Sequence, residues 1–185
     1  MPTQESIQGK FTAELDRLPI SIEEAQIADI NSIIALHQKV SARTYRDITK
    51  LTDEEVQLYL TKPESQDDWQ KYFKKRISDH PDAAVFIARL GEGLKGYSCV
   101  ERDAEGRYTI SGLYVADQGR GIGTALLRTG LKKIGPHDTV LNVTRDTEAV
   151  RFYEGHGFKP TGHTWDATFA GKPLPQIEMK LTYNK

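Results

Sequence analysis

The 185-residue sequence is short of several things, and each shortage excludes a class of function. A single cysteine, Cys99, rules out an intrachain disulfide and a cysteine-cluster metal site, so a reducing compartment, the cytoplasm, is the expectation. The histidines, His37, His80, His137, His156 and His163, stand far apart with no HExxH or His-carboxylate spacing, and no metal is expected. No stretch approaches the ~18 consecutive apolar residues of a spanning helix, and the opening Met-Pro-Thr-Gln-Glu-Ser lacks a basic segment followed by an apolar one. Neither a membrane location nor a standard secretion signal is expected. Excess charge is missing too: 25 Lys and Arg face 26 Asp and Glu, a formal net charge of −1. That balance speaks against a nucleic-acid partner, whose phosphates need a cationic excess.

The near-zero total conceals a division, because residues 1–70 hold 7 basic and 13 acidic side chains while residues 71–185 hold 18 and 13. Length suggests one domain. Residues 1–18 are polar, with Phe11, Leu15 and Leu18 able to form one amphipathic turn, and read as an N-terminal extension to a domain over 19–185. Within that domain Ile20 to Glu23 alternates like a strand, and Ile30, Ile33, Ile34 and Val40 recur at helical spacing. Thr52-Asp53-Glu54-Glu55 has the form of a capping box, and a polar start at Ser65 leads to Trp69, Tyr72, Phe73 and Ile77, so two or three helices fill residues 29–79. Strands follow at 83–88, 96–100 and 108–115, then a helix over 121–134 that stops at Gly135-Pro136. A strand at 139–143, a short helix that Asp146 can cap, and two closing strands complete the order. The fold class is α+β: a mixed, mostly antiparallel sheet with one parallel crossover, flanked by helices.

The stretch from Leu113 to Leu127 carries the most chemistry. A strand enters a turn with glycines at 119, 121 and 123, and an amphipathic helix leaves it. Glycines permit positive φ and close backbone approach, and the N–H groups of a first helical turn favour an anion, so a phosphate or pyrophosphate is the natural guest, with Arg120 beside it. No Lys-Ser or Lys-Thr follows, which excludes a Walker loop, and Thr124 and Leu126 stand where a dinucleotide fingerprint needs its third glycine. Glycines alone still leave an unliganded tight turn open.

Gln118-Gly119-Arg120-Gly121-Ile122-Gly123 matches the Q/R-x-x-G-x-G/A pattern of the GNAT superfamily of N-acetyltransferases, and Asp146 to Phe158 resembles that family's N-x-x-A-x-x-x-Y-x-x-x-G-F segment. The resemblance covers residues 20–183. It implies a GNAT-like fold and acetyl-CoA as cosubstrate, with the pantetheine arm paired along Leu113, Tyr114 and Val115 and the pyrophosphate on the N–H groups of Gln118, Gly119, Arg120, Gly121, Ile122, Gly123 and Thr124. It further implies that Tyr153 protonates the departing thiolate, and that Asp146 and Ala149 flank the pantetheine. A phenol suits that role, staying protonated at neutral pH with a pKa of about 10; taken alone, Tyr153 reads as a core aromatic. Since relatives are often dimers, a homodimer is among the expected assemblies.

Two departures stand out. Asp146 replaces the family's Asn, and Thr109 and Ser111 occupy the positions where many relatives carry a glutamate base. An ammonium must lose its proton before it attacks a thioester. Glu101 on the neighbouring strand is the first candidate acceptor, ahead of Asp103, His37 or a water chain, although a solvated strand-end charge is the plainer reading of Glu101. Cys99 reads as a buried small hydrophobe, Trp69, Tyr72 and Phe73 as core, Tyr45 and Arg46 as surface or acceptor groove, and Lys71, Lys74, Lys75 and Arg76 as a solvated helix face. The expected activity is acetyl transfer to a primary amine, with a small cation such as a polyamine favoured because the acidic first 70 residues hold the helices that would wall the acceptor groove. A protein N-terminal or lysine acetyltransferase, acting on a peptide amine, and a non-catalytic CoA-binding module are the alternatives.

Overall fold

A computed structural model describes residues 20–79 and 81–183; the amphipathic turn expected at Phe11, Leu15 and Leu18 lies outside them. Strand β1 (Ile20–Glu24) leads through a 3-10 turn into helix α1 (Ile30–Thr49), followed by α2 (Asp53–Leu60) and α3 (Pro63–Lys74), which runs on as a π-helical turn through Asp79. Three strands follow, β2 (Ala84–Leu90), β3 (Gly93–Arg102) and β4 (Tyr108–Val115), then α4 (Ile122–Ile134), β5 (Thr139–Thr144), α5 (Glu148–Gly155), β6 (Lys159–Phe169) and β7 (Lys172–Leu181). The seven strands lie in the order β1-β2-β3-β4-β5-β7-β6. Every pairing is antiparallel except that of β4 with β5, the one parallel crossover expected.

The sheet is covered on both faces. Residues Ala84, Phe86, Val100, Ile110, Leu141 and Met179 pack against Ile122, Leu126 and Leu127 of α4 and Tyr153 of α5. On the opposite face Val85, Ile87, Tyr97 and Cys99 meet Ile30, Ile33, Ile34 and Val40 of α1 and Phe73 of α3. Helix α1 continues past the Val40 stripe because Ala42, Tyr45 and Ile48 extend it into a third cluster with Val56 and Leu60 of α2 and Phe169 and Leu174 of the β6–β7 hairpin. Lys50, at φ 58°, ends it in the left-handed region.

Local chemistry explains the helix starts. The capping box of α2 is fully formed, with the Glu55 N–H donating to Thr52 Oγ1 at 3.2 Å and the Thr52 N–H donating to Glu55 Oε2 at 2.8 Å. Helix α3 begins at Pro63 rather than Ser65, since proline at the first position gives up an N–H that has no intrahelical partner. Helix α5 departs from expectation in its cap. Thr147, with extended backbone, holds the N-cap, whereas Asp146 sits at φ 62° and its carboxylate pairs with Arg145 Nε at 3.1 Å.

Candidate active site

The parallel pair is short. Strands β4 and β5 run side by side only over Tyr108, Thr109 and Ile110 against Thr139, Val140 and Leu141. Beyond Ile110, β4 continues to Val115 bonded to β3 alone, and β5 continues to Thr144 bonded to β7. The parting follows a bulge: Val100 pairs with Ile110 and Cys99 with Gly112, so Ser111 is an extra residue that bends β4 away. A cleft results between the two strands.

The ladder phase shows which groups line that cleft. Ala116 N–H donates to the Lys95 carbonyl at 2.8 Å, which makes Ala116 and, two residues back, Tyr114 the members bonded to β3. Leu113 and Val115, the intervening residues, therefore direct their amides and carbonyls away from β3, toward the open edge. Their side chains pack against the α4 and α5 face, while Tyr114 lies on the other face against His37, ring centroids 4.5 Å apart.

The glycine turn begins where β4 ends. Gly119 at φ 80° and Gly121 at φ 75° occupy the left-handed region, and a Cβ at either would meet nothing within 4 Å, so the requirement is one of backbone conformation. Gly121 is also the N-cap of α4 with no side-chain cap, leaving the first-turn N–H groups of Ile122, Gly123 and Thr124 without side-chain partners there. Gly123 has a different reason: its Cβ would stand 3.4 Å from Phe152, so glycine lets α5 approach α4. Gln118, Gly119 and Arg120 are exposed, and Asp117 pairs with Lys95 at 3.1 Å.

From α5, Tyr153 faces this region, 7% exposed and flanked by the rings of Phe152 and Phe158. Among the described residues its hydroxyl has no hydrogen-bond partner. Burial, and secondarily the Tyr45 hydroxyl, push its ionisation well above the usual phenol range, so it holds its proton. Ala149, one turn before it, is half-buried against the same core, and Asp146 is exposed with its carboxylate turned to Arg145.

The other side of the cleft is made by side chains. Glu101 is bound by Arg76 at 2.8 Å, with side chains only 12% and 16% exposed, and the Arg76 guanidinium lies 3.4 Å over the Tyr72 ring. Arg76 is thus no part of a solvated face, a correction to the sequence reading. Among the described residues its buried Nε has no hydrogen-bond partner. The Tyr72 hydroxyl reaches Ser111 Oγ at 3.4 Å. Glu101, Asp103, Arg107, Thr109, Ser111 and Asn142 border a cavity of about 250 Å³. Asp103 is bound by Arg107 at 2.8 Å; burial acts to raise its carboxyl, but the Arg107 bonds and charge outweigh that and hold it below the usual range. His37 is buried with Nδ1 2.7 Å from the Tyr97 hydroxyl and Nε2 3.3 Å from Ser41 Oγ, and burial lowers its pKa to about 4. Both ring nitrogens are engaged. Cys99 is buried, as expected, and burial pushes its thiol up to about 12. Tyr45 meets the Tyr114 hydroxyl at 3.2 Å, while Arg46 is held by Asp47 and Asp53.

Among the described residues no group of three or more His, Cys, Asp or Glu is placed to hold a metal, and no helix is long and apolar enough to cross a membrane. The fold is shared with solved N-acetyltransferases. The PaiA N-acetyltransferase of Thermoplasma acidophilum, in complex with coenzyme A, is 21% identical, with a TM-score of 0.68 over 90% of this chain and 100% of that one. An N-acetyltransferase from Staphylococcus aureus is 20% identical at TM-score 0.67, over 90% and 99% of the two chains. The ribosomal-protein-alanine N-acetyltransferase of Brucella melitensis is 18% identical at 0.66, over 88% and 99%. Among curated proteins no sequence match emerges. The sequence profile of the acetyltransferase (GNAT) domain matches residues 48–182, and the chain therefore belongs to the GNAT acetyltransferases. It is an N-acetyltransferase, acting on an amine acceptor.

Proposed function

We propose that this N-acetyltransferase takes its acetyl group from acetyl-CoA and passes it to a small cationic primary amine, a polyamine being the favoured class, by direct attack in a ternary complex. The observation that carries the reading is the parting of β4 from β5 beyond Ile110, immediately ahead of the positive-φ glycine turn. The residues fit the cosubstrate. Leu113 and Val115 offer an amide and a carbonyl each to a pantetheine arm, and the uncapped start of α4, with Gln118, Gly119, Arg120, Gly121, Ile122, Gly123 and Thr124, suits a pyrophosphate. When bound, acetyl-CoA supplies an activated acyl group on a thiolate leaving group. Tyr153, which keeps its proton, is the donor to that sulfur, with Ala149 one turn before it on α5 and Asp146 just ahead of that helix. Glu101, at the cavity wall, takes the proton of the incoming ammonium.

The preference for a cation rests on Glu101 and Asp103 at the cavity, each of which also holds an arginine, Arg76 and Arg107. Elsewhere Glu23 and Asp29 clasp Arg89, Asp47 and Asp53 clasp Arg46, and Glu55 serves its own helix cap, so much of the acidic first section is matched locally. Turnover of acetyl-CoA against spermidine, spermine, an aminoglycoside and N-terminal peptides tests the reading. Activity with the polyamines supports it, and activity confined to neutral or anionic acceptors overturns it. The same reading places the protein in the cytoplasm, where Cys99 remains a thiol.

A further inference from the structure

Arg43 belongs to α1, on neither element that builds the glycine turn, yet its guanidinium reaches the end of β4. Nη1 donates to the Ala116 carbonyl at 3.0 Å and Nη2 to the Val115 carbonyl at 3.4 Å. Both acceptors are neutral main-chain groups, and among the described residues Arg43 has no carboxylate partner. That sets it apart from Arg46, Arg76, Arg89 and Arg107, each of which holds at least one carboxylate. A guanidinium carries five donors in a planar fork matched to phosphate oxygens, and only two are engaged here.

Its position gives this cation a use. Val115 is one of the two residues that direct their polar groups to the open edge, and Ala116 follows it at the entry to the glycine turn. Lys95 already matches Asp117 at 3.1 Å, so the turn presents no unmatched carboxylate to Arg43. We infer that Arg43 is a cofactor-binding residue that supplies, from α1, a guanidinium to the pyrophosphate of CoA. The bond to the Val115 carbonyl is the longer of the two and the one given up, which frees that carbonyl for the pantetheine amide; the Ala116 bond keeps the guanidinium aimed. Because α1 also carries Tyr45 and His37, which touch Tyr114, cofactor occupancy is tied to the helix on the acceptor side.

The inference rests on reading the cleft as the CoA site, and titration calorimetry separates the two. Wild-type protein that fails to bind CoA overturns that reading whatever Arg43 does. With CoA bound by the wild type, Arg43→Gln is expected to weaken CoA about tenfold while binding pantetheine, which lacks the pyrophosphate, no more weakly than the wild type does. Arg43→Lys should recover part of the loss, and added salt should narrow the gap between wild type and Arg43→Gln. Equal weakening of CoA and pantetheine would show that Arg43 merely ties α1 to β4, and unchanged CoA binding in both variants would exclude any role. If Arg43→Gln does not fold, the lysine variant carries the same comparison through its CoA to pantetheine ratio.

Discussion

Residues 113–124, on one side of the cleft, present main-chain N–H and C=O groups of an unpartnered strand edge, two positive-φ glycines and the start of a helix, whereas the Glu101 side is assembled from side chains far apart in sequence. Arg76 reaches Glu101 across 25 positions, Tyr72 reaches Ser111 across 39, and Tyr45 reaches Tyr114 across 69. A surface of backbone groups suits what is constant in a ligand, in the proposed reading a pantetheine arm and a pyrophosphate. Side chains can be exchanged without disturbing the sheet, which suits the half of the site that, in the proposed reading, selects an acceptor. The division makes a clear demand on mutants: changes on the turn side should act through acetyl-CoA, and changes on the Glu101 side through the amine.

Tyr153 belongs to neither side, and its removal should have the largest effect. Tyr153→Phe keeps the ring packing against Phe152 and Phe158 and deletes only an unpartnered hydroxyl, so stability should hold. Loss of a general acid costs roughly 10²–10⁴-fold in rate. Steady-state assays should show kcat lower by about 10²–10³ with CoA affinity by calorimetry unchanged. Retention of full kcat would remove Tyr153 from the chemistry and return it to the core.

Next in size is Glu101→Gln. If Glu101 accepts the amine proton, kcat should fall by on the order of 10² with acetyl-CoA KM unmoved. The glutamine variant retains shape but leaves the Arg76 guanidinium, 16% exposed, without its counter-ion, so its melting temperature has to be measured alongside. A rise in acetyl-CoA KM instead would break the comparison, since the two sides would then not be separable.

The same contrast explains what could be read from the chain. The turn side was legible because its information is local: glycines at 119 and 121, the apolar period of α4 and the Gly135-Pro136 stop all sit within one strand–turn–helix. The strand and helix order was legible for the same reason, with errors confined to ends such as Pro63 and the Thr147 cap, where one residue's backbone decides. Arg76 was not. It follows Lys71, Lys74 and Lys75, and composition there says solvated face, but it stands one turn beyond Tyr72 and turns inward over that ring. The bulge at Ser111 was equally hidden, because it is defined by a register between β3 and β4 that neither strand states alone. Arg43, between Val40 and Tyr45, has no local pattern that marks it.

Acidification offers a third test, directed at the acceptor-side helix. His37 on α1 titrates near 4 in the folded protein against 6.5 unfolded, because burial disfavours its charged form. Folding therefore favours the neutral ring. Above pH 6.5 it has no effect on stability; as pH falls from 6.5 toward 4 the unfolded chain takes up a proton that the folded one refuses, and stability drops by up to about 3 kcal/mol. Urea melts of wild type and His37→Gln between pH 7 and 4 should diverge, the wild type losing more. Parallel curves would place the acid sensitivity elsewhere.

The smallest expected effect is on the turn itself. At Gly121 an added Cβ meets nothing within 4 Å, so Gly121→Ala alters only the ease with which the chain holds φ 75°. For an L-residue that conformation costs about 1–2 kcal/mol. Part of the cost appears as a melting temperature lower by a few degrees, and part as a turn that relaxes and misdirects the N–H groups of Ile122, Gly123 and Thr124. Acetyl-CoA KM should rise several-fold while the amine KM stays put. Since the substitution adds one methyl group to open space, a shift in amine KM of similar size would mean that the turn and the Glu101 side act as one unit, with the Arg43 link between α1 and β4 as the connection to examine.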